Sequence, residues 1–95
     1  MRSLPQSIEA EQSVIGSMII DKNAIAKVLE SLNEEDFYRD GHKVIYKAIL
    51  EMFRNDMAVD LVTLLEYLKS TEMLERAGGV TYITEVSSSV PSTAN

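Results

Sequence analysis

Asn23-Ala24-Ile25-Ala26-Lys27-Val28-Leu29-Glu30-Ser31-Leu32 carries the pattern on which the fold turns. Ile25, Val28, Leu29 and Leu32 recur at i, i+3, i+4 and i+7, which places four aliphatic side chains on one face of a helix. Such a segment cannot hold its own helix, because isolated helices below ~12–15 residues are marginal in water. Burying the four side chains contributes on the order of 6–12 kcal/mol before entropy. This helix therefore exists only as part of a core, and elements of the same kind must surround it.

Toward the N-terminus, Asp21-Lys22-Asn23 forms a break, with Asn23 as the cap of the helix just described. Before it, Ile8, Val14, Ile15, Met18 and Ile19 recur at helical spacing and predict a first helix over Ile8 to Ile20. Ser7 is its N-cap, Pro5 lies just outside, and Glu9 and Glu11 sit near the positive end of the helix dipole. Gly16 lies inside this helix at a cost of roughly 1 kcal/mol relative to Ala. Its simplest role is close packing against a neighbouring helix.

Toward the C-terminus, Asn33-Glu34-Glu35-Asp36 is an acidic connector, with Asp36 placed to cap the next helix. That long third helix is predicted from Tyr38 to Arg54, with Tyr38, His42, Ile45, Tyr46, Ile49 and Phe53 on one face. Asp60 opens a fourth helix in which Leu61, Leu64, Leu65 and Leu68 repeat the i, i+3, i+4, i+7 pattern. Val59 and Leu64 fit a hydrophobic staple across its start. That helix frays near Ser70-Thr71, and Met73 and Leu74 continue the apolar trace until Gly78-Gly79. Val80 to Val90 is rich in β-branched residues and permits a strand, but a lone strand would find no partner. Ile83, Val86 and Val90 also fit a helical face, so a helix ended by Pro91 is expected. Ser92-Thr93-Ala94-Asn95 looks like the opening of a further helix, as in a piece of a longer protein.

The fold class expected is all-α, a compact orthogonal bundle of five to six short helices. With 95 residues, the chain makes one domain, 1–95. The chain is 45% hydrophobic and 25% charged, ordinary values for a globular domain, and disorder is not expected. It has no cysteine, which excludes a disulfide scaffold and a cysteine–zinc site. Val14 to Ile20 is the longest apolar-dominated run and falls well short of the ~20 residues of a membrane span. A soluble, intracellular protein with no membrane contact is expected. The net charge of −6 gives no global attraction for a phosphate backbone.

Chemistry-bearing motifs are scarce. None of the four glycines opens a phosphate loop, and there is no nucleophile elbow or dinucleotide fingerprint. His42 is the single histidine and fits a hydrogen-bonded core or boundary position beside Tyr38 and Tyr46. Asp36 and Asp40 are explained as caps and surface pairs, which leaves a small hydrolase without specific support. No catalytic, cofactor or metal residue is nominated. Arg39, Lys43 and Lys47 form a ladder at i, i+4 and i+8 that could contact nucleic acid or an acidic partner, or simply be a solvated face flanked by Glu35 and Glu51. If Ile83, Val86 and Val90 face the core, Tyr82, Glu85 and Ser89 share the opposite side. Tyrosine on such a face suits a partner contact, and equally a half-buried boundary.

Several separated stretches, in order, carry a resemblance across nearly the whole chain. They are Pro5-Gln6-Ser7-Ile8-Glu9-Ala10-Glu11-Gln12-Ser13-Val14-Ile15-Gly16-Ser17, Glu35-Asp36-Phe37-Tyr38-Arg39-Asp40-Gly41-His42-Lys43-Val44-Ile45-Tyr46-Lys47-Ala48-Ile49, Val59-Asp60-Leu61-Val62-Thr63-Leu64, Gly78-Gly79-Val80-Thr81-Tyr82-Ile83 and Val90-Pro91-Ser92-Thr93-Ala94-Asn95. Together they resemble the N-terminal domain of the bacterial replicative DNA helicase DnaB. The resemblance implies an all-helical head that precedes a helical hairpin, a linker and a RecA-type motor domain. ATP, Mg²⁺ and DNA would belong to that motor domain, so no cofactor is expected in this head. It also implies head-to-head pairing in the collar of a hexameric ring, docking of the helicase-binding domain of primase, and a cytoplasmic place at the bacterial replisome. Tyr82 matches the head position expected to contact primase. The expectation is a non-catalytic interaction domain; the alternative is a helical nucleic-acid-binding module using Arg39, Lys43 and Lys47.

Overall fold

A computed structural model describes residues 7–89. Six α-helices follow one another through short turns, and no strand occurs among the described residues. They are α1 (Ile8–Ile20), α2 (Lys22–Ser31), α3 (Asp40–Arg54), α4 (Leu61–Ser70), α5 (Leu74–Ala77) and α6 (Gly79–Ser88), with a 3-10 turn at Glu34–Asp36 between α2 and α3. The all-α expectation holds.

Local chemistry sets most of the boundaries. The Ala10 amide donates to Ser7 Oγ at 3.1 Å, which makes Ser7 the N-cap of α1 as expected. Asp21 separates α1 from α2 and serves both. Its amide donates to the Ser17 carbonyl, and its carboxylate accepts from the Asn23 amide at 2.9 Å. The cap is therefore Asp21 and not Asn23, because extended backbone at Asp21 lets the helix begin at Lys22, before Asn23 is reached. Asp60 caps α4 by accepting from the Thr63 amide, while Thr63 Oγ1 accepts from the Asp60 amide, both at 2.9 Å. Val59 and Leu64 both join the core, as the staple requires.

The third helix starts later than the periodicity suggests. The Asp36 carboxylate turns back to accept from the Asn33 amide at 2.7 Å and closes the 3-10 turn, so it caps nothing downstream. Phe37 is buried, and the chain stays extended there and at Arg39, so Tyr38 lies outside α3 and is 66% exposed. Phe37 takes the core place expected for Tyr38, its ring 5.3 Å from that of Tyr46. His42, Ile45, Tyr46, Ile49 and Met52 form the buried stripe, with Ala48 beside it, and Phe53 falls off the stripe at 42% exposure. The Tyr46 hydroxyl donates to the Leu32 carbonyl and pins the end of α2 to α3.

The core lies around α3, which packs on α1, α2, α4 and α5, while α6 packs on α1, α4 and α5. Ile25 is the one fully buried residue of the α2 stripe; Val28, Leu29 and Leu32 pack against the core from its margin. Gly16 is buried. Gly78 adopts φ +118° and ends α5, and α6 begins at once. A side chain at Gly78 would be strained, and its Cβ would lie 2.6 Å from the Tyr82 ring. Ile83 and Val86 of α6 point into the core, and the stretch from Val80 to Ser88 is helix rather than strand. Val90, Pro91 and the segment to Asn95 lie outside the described residues. No helix is long and apolar enough to cross a membrane among the described residues.

Candidate interaction face around Tyr82

The buried polar groups converge where α1, α3 and α6 meet. Glu11 shares a helix face with Ile15, Met18 and Ile19, and this carries its carboxylate into the interior with the apolar side chains. It is fully buried, unlike exposed Glu9. Expected to serve the dipole of its own helix, Glu11 instead serves the start of α3. Its carboxylate accepts from the Tyr38 amide at 2.6 Å and the Arg39 amide at 3.3 Å, and it meets His42 Nδ1 at 2.8 Å. Arg39 at the α3 N-cap has no side-chain cap of its own, so Glu11 fills that role from another helix.

His42 is fully buried and engaged at both ring nitrogens, as a hydrogen-bonded core histidine requires. Its partner is not the neighbouring Tyr38 or Tyr46 but Tyr82, whose hydroxyl lies 2.6 Å from Nε2. The two rings stack at 5.9 Å between centroids. Two further groups donate to the same hydroxyl, Gln12 Nε2 and Arg39 Nη1, each at 3.1 Å. A phenol oxygen accepts two hydrogen bonds and donates one. With Gln12 and Arg39 donating, Tyr82 gives its proton to His42 Nε2, and His42 Nδ1–H donates to Glu11. Every group is then satisfied by a neutral imidazole, and no buried side-chain nitrogen or oxygen among the described residues lacks a partner.

Burial pushes the Glu11 carboxyl toward higher pKa, but donation from the Tyr38 amide, His42 and the Arg39 amide outweighs it. The result lies below the usual carboxylate value, so Glu11 is an anion at neutral pH. Removing one member of such a network strands the others in low dielectric, where an unpaired group is costly.

The nominated residues divide into three places. Tyr82, Glu85 and Ser89 line one shallow hollow of about 200 Å³ with Gln12 and Val86. Glu85 and Ser89 are exposed, and Ser89 Oγ donates to the Val86 carbonyl at 2.9 Å. Tyr82 is half-buried; it lines this hollow while its hydroxyl is bonded to the buried His42. The basic ladder is broken, because Arg39 precedes α3 and turns toward Tyr82, with its guanidinium 5.6 Å from that ring. Lys43 and Lys47 line a separate cleft between α3 and α4 that also contains Glu51 and Tyr67. No cluster of histidine, aspartate or glutamate suited to a metal ion occurs among the described residues.

Glu11 and Gln12 are the members that sequence reading missed. The signal was available for Glu11: position 11 is one turn before Ile15 and two before Met18, on the apolar face.

Comparison with known proteins matches residues 3–95 to the family described as the DnaB-like helicase N-terminal domain. The chain is 43% identical over 91 residues to "Replicative DNA helicase DnaC" of Bacillus subtilis, covering 96% of the chain and 20% of that protein. It is 45% identical over 91 residues to the replicative DNA helicase DnaB of Geobacillus stearothermophilus, again covering 96% and 20%. It is 44% identical over 94 residues to the replicative DNA helicase DnaB of Mycobacterium leprae, covering 99% and 16%. The chain thus spans about a fifth of these relatives or less. Among solved structures, the N-terminal domain of DnaB helicase from Mycobacterium tuberculosis superposes with a TM-score of 0.88 at 44% identity, covering 96% of this chain and 66% of that one.

Proposed function

The chain belongs to the family of DnaB-like helicase N-terminal domains, and on that premise we propose that it is a non-catalytic interaction domain of a replicative DNA helicase. It contributes to the assembly of a hexameric collar and receives the helicase-binding domain of primase. The nucleotide, Mg²⁺ and DNA chemistry belongs to a motor domain elsewhere in the parent helicase, which works in the bacterial cytoplasm at the replisome.

The observation that carries this reading is the match to replicative helicases along nearly the whole chain. The hollow on α6 supports it. Tyr82 offers a rigid aromatic body there, and Glu85 and Ser89 provide exposed polar contacts around it. An interface of standard size buries ~800 Å² per partner, which one side of this domain can supply.

The test is a calorimetric titration of the primase helicase-binding domain into the wild-type chain and into Glu85→Lys and Ser89→Arg. Both substitutions fall on exposed positions, so they alter the face without touching the core. Saturable binding that weakens roughly tenfold or more in either variant is expected. Unchanged affinity in both would remove the α6 hollow from the contact. Sedimentation across a concentration series reads self-association, which the collar role requires of the head or of the parent ring.

A further inference from the structure

We propose that a second cleft on the far side of Tyr82 receives an acidic side chain of a protein partner, clamped between Arg39 and Arg76. This rests on the reading of the chain as an interaction domain and adds a separate site and a chemistry to it.

The cleft has a volume of about 290 Å³ and lies where the N-terminal ends of α3 and α6 meet the end of α5. Arg39 and Arg76 line it, Tyr82 forms one wall, and Gly41, Ala77 and Gly78 supply the floor. Two arginines lining one hollow are an exception in a chain of net charge −6, and Arg76 also borders the cleft that holds Lys43 and Lys47. Among the described residues no carboxylate pairs with Arg39. Arg76 has a single pair, with Asp40 at 3.5 Å, and both side chains are largely solvated, so a stronger acceptor can displace it.

Arg39 is also held in place. Its Nη1 donates to the Tyr82 hydroxyl, and its guanidinium sits over the Tyr82 ring. That hydroxyl is fixed in turn by His42, which the buried Glu11 anchors. One planar donor group is thereby oriented before any partner arrives, and an oriented guanidinium fork suits a carboxylate in two-point contact. The glycines set the shape of the cleft: a Cβ at Gly41 would lie 3.2 Å from the Arg76 and Ala77 carbonyl oxygens, and a Cβ at Gly78 would meet the Tyr82 ring at 2.6 Å, so glycine at both positions lets α3, α5 and Tyr82 come together here.

The surroundings select a single carboxylate over an extended polyanion. Asp40 stands at the Arg76 side of the cleft, and Glu85 stands in the hollow across Tyr82. A nucleic-acid backbone passing over Arg39 and Arg76 would run onto these acids, whereas one aspartate or glutamate from a peptide need not.

The test is an NMR titration of the chain with the peptide acetyl-Leu-Glu-Glu-Leu-amide, against acetyl-Leu-Gln-Gln-Leu-amide, inorganic phosphate and oligo-dT. Saturating shifts at the Arg39 and Arg76 Nε–H and at the Gly78 amide are expected with the acidic peptide only. They should weaken roughly tenfold in Arg39→Gln/Arg76→Gln, whose backbone changes should stay confined to the surroundings of Tyr82 because the bond Arg39 gives to that hydroxyl is solvent-exposed. Equal shifts with the neutral peptide, no weakening in the double variant, or shifts with phosphate or oligo-dT alone would overturn the proposal. The primase helicase-binding domain separates the two readings. If it binds the wild type and the double variant equally, the clamp fails and primase docking stands. If it does not bind while the acidic peptide does, primase docking fails and the clamp stands.

Discussion

Two tyrosines on the α3 side of the molecule end in hydroxyls that meet partners from other helices, yet they do different work. The Tyr67 hydroxyl makes one hydrogen bond, to Glu51 at 2.7 Å, in a cleft open to solvent. The Tyr82 hydroxyl meets His42, Gln12 and Arg39 and is tied through His42 to the fully buried Glu11. The first pair can open and let water take its place. The second holds α1, α3 and α6 in one geometry, because its inner members, Glu11 and His42, cannot lose a partner without being stranded away from water. Polar contacts that fix helices against one another are therefore to be sought where they are saturated and anchored in the interior.

The comparison breaks most sharply at Glu11. Glu11→Ala leaves His42 and the two amides just before α3 without their acceptor and should cost about 3–5 kcal/mol in chemical denaturation, a large part of the stability of a domain this size. A cost under 1 kcal/mol would show that the network closes around water. Tyr82→Phe keeps the ring and removes the hydroxyl on which three donors and acceptors converge; about 1–3 kcal/mol is expected. A double-mutant cycle with Gln12→Ala should then show non-additivity, since both act on one oxygen.

Acid sharpens the same contrast. Because the Glu11 carboxyl titrates below its usual value when folded, its stabilising contribution is complete above about pH 4.3 and is lost as pH falls through the lower folded value. Thermal melts of the wild type and Glu11→Gln should therefore draw together as pH drops below that range. A gap that stays constant would contradict the ionised network. At the Tyr67 end, the bond to Glu51 and then burial raise the phenol pKa. Tyr67→Phe should cost under about 1 kcal/mol, the smallest effect of the set, because the site is open and water replaces the lost bond.

Much of the architecture was legible because the helices obey one rule at a time. The stripes of α2 and α4 show their buried faces directly, and Ser7 and Asp60 are caps in both sequence and structure. The start of α3 was not legible, because what begins it is a carboxylate 28 residues away in sequence from Arg39. Periodicity within α3 cannot see that Phe37, rather than Tyr38, enters the core. The same limit hid the geometry of the candidate face. Arg39, Lys43 and Lys47 share a spacing, but the chain is not yet helical at Arg39, so the ladder divides between two clefts. Tyr82 was visible as a candidate on α6; that its hydroxyl is bonded to the buried His42 while the residue lines two hollows was not.

The most direct measurement of the central claim is calorimetric titration of the chain with the primase helicase-binding domain, with ATP turnover assayed in the same samples. Saturable binding and no turnover above background are expected of a docking domain that does no chemistry. ATP hydrolysis by the chain alone, or no heat of binding in a correctly folded sample, would contradict it.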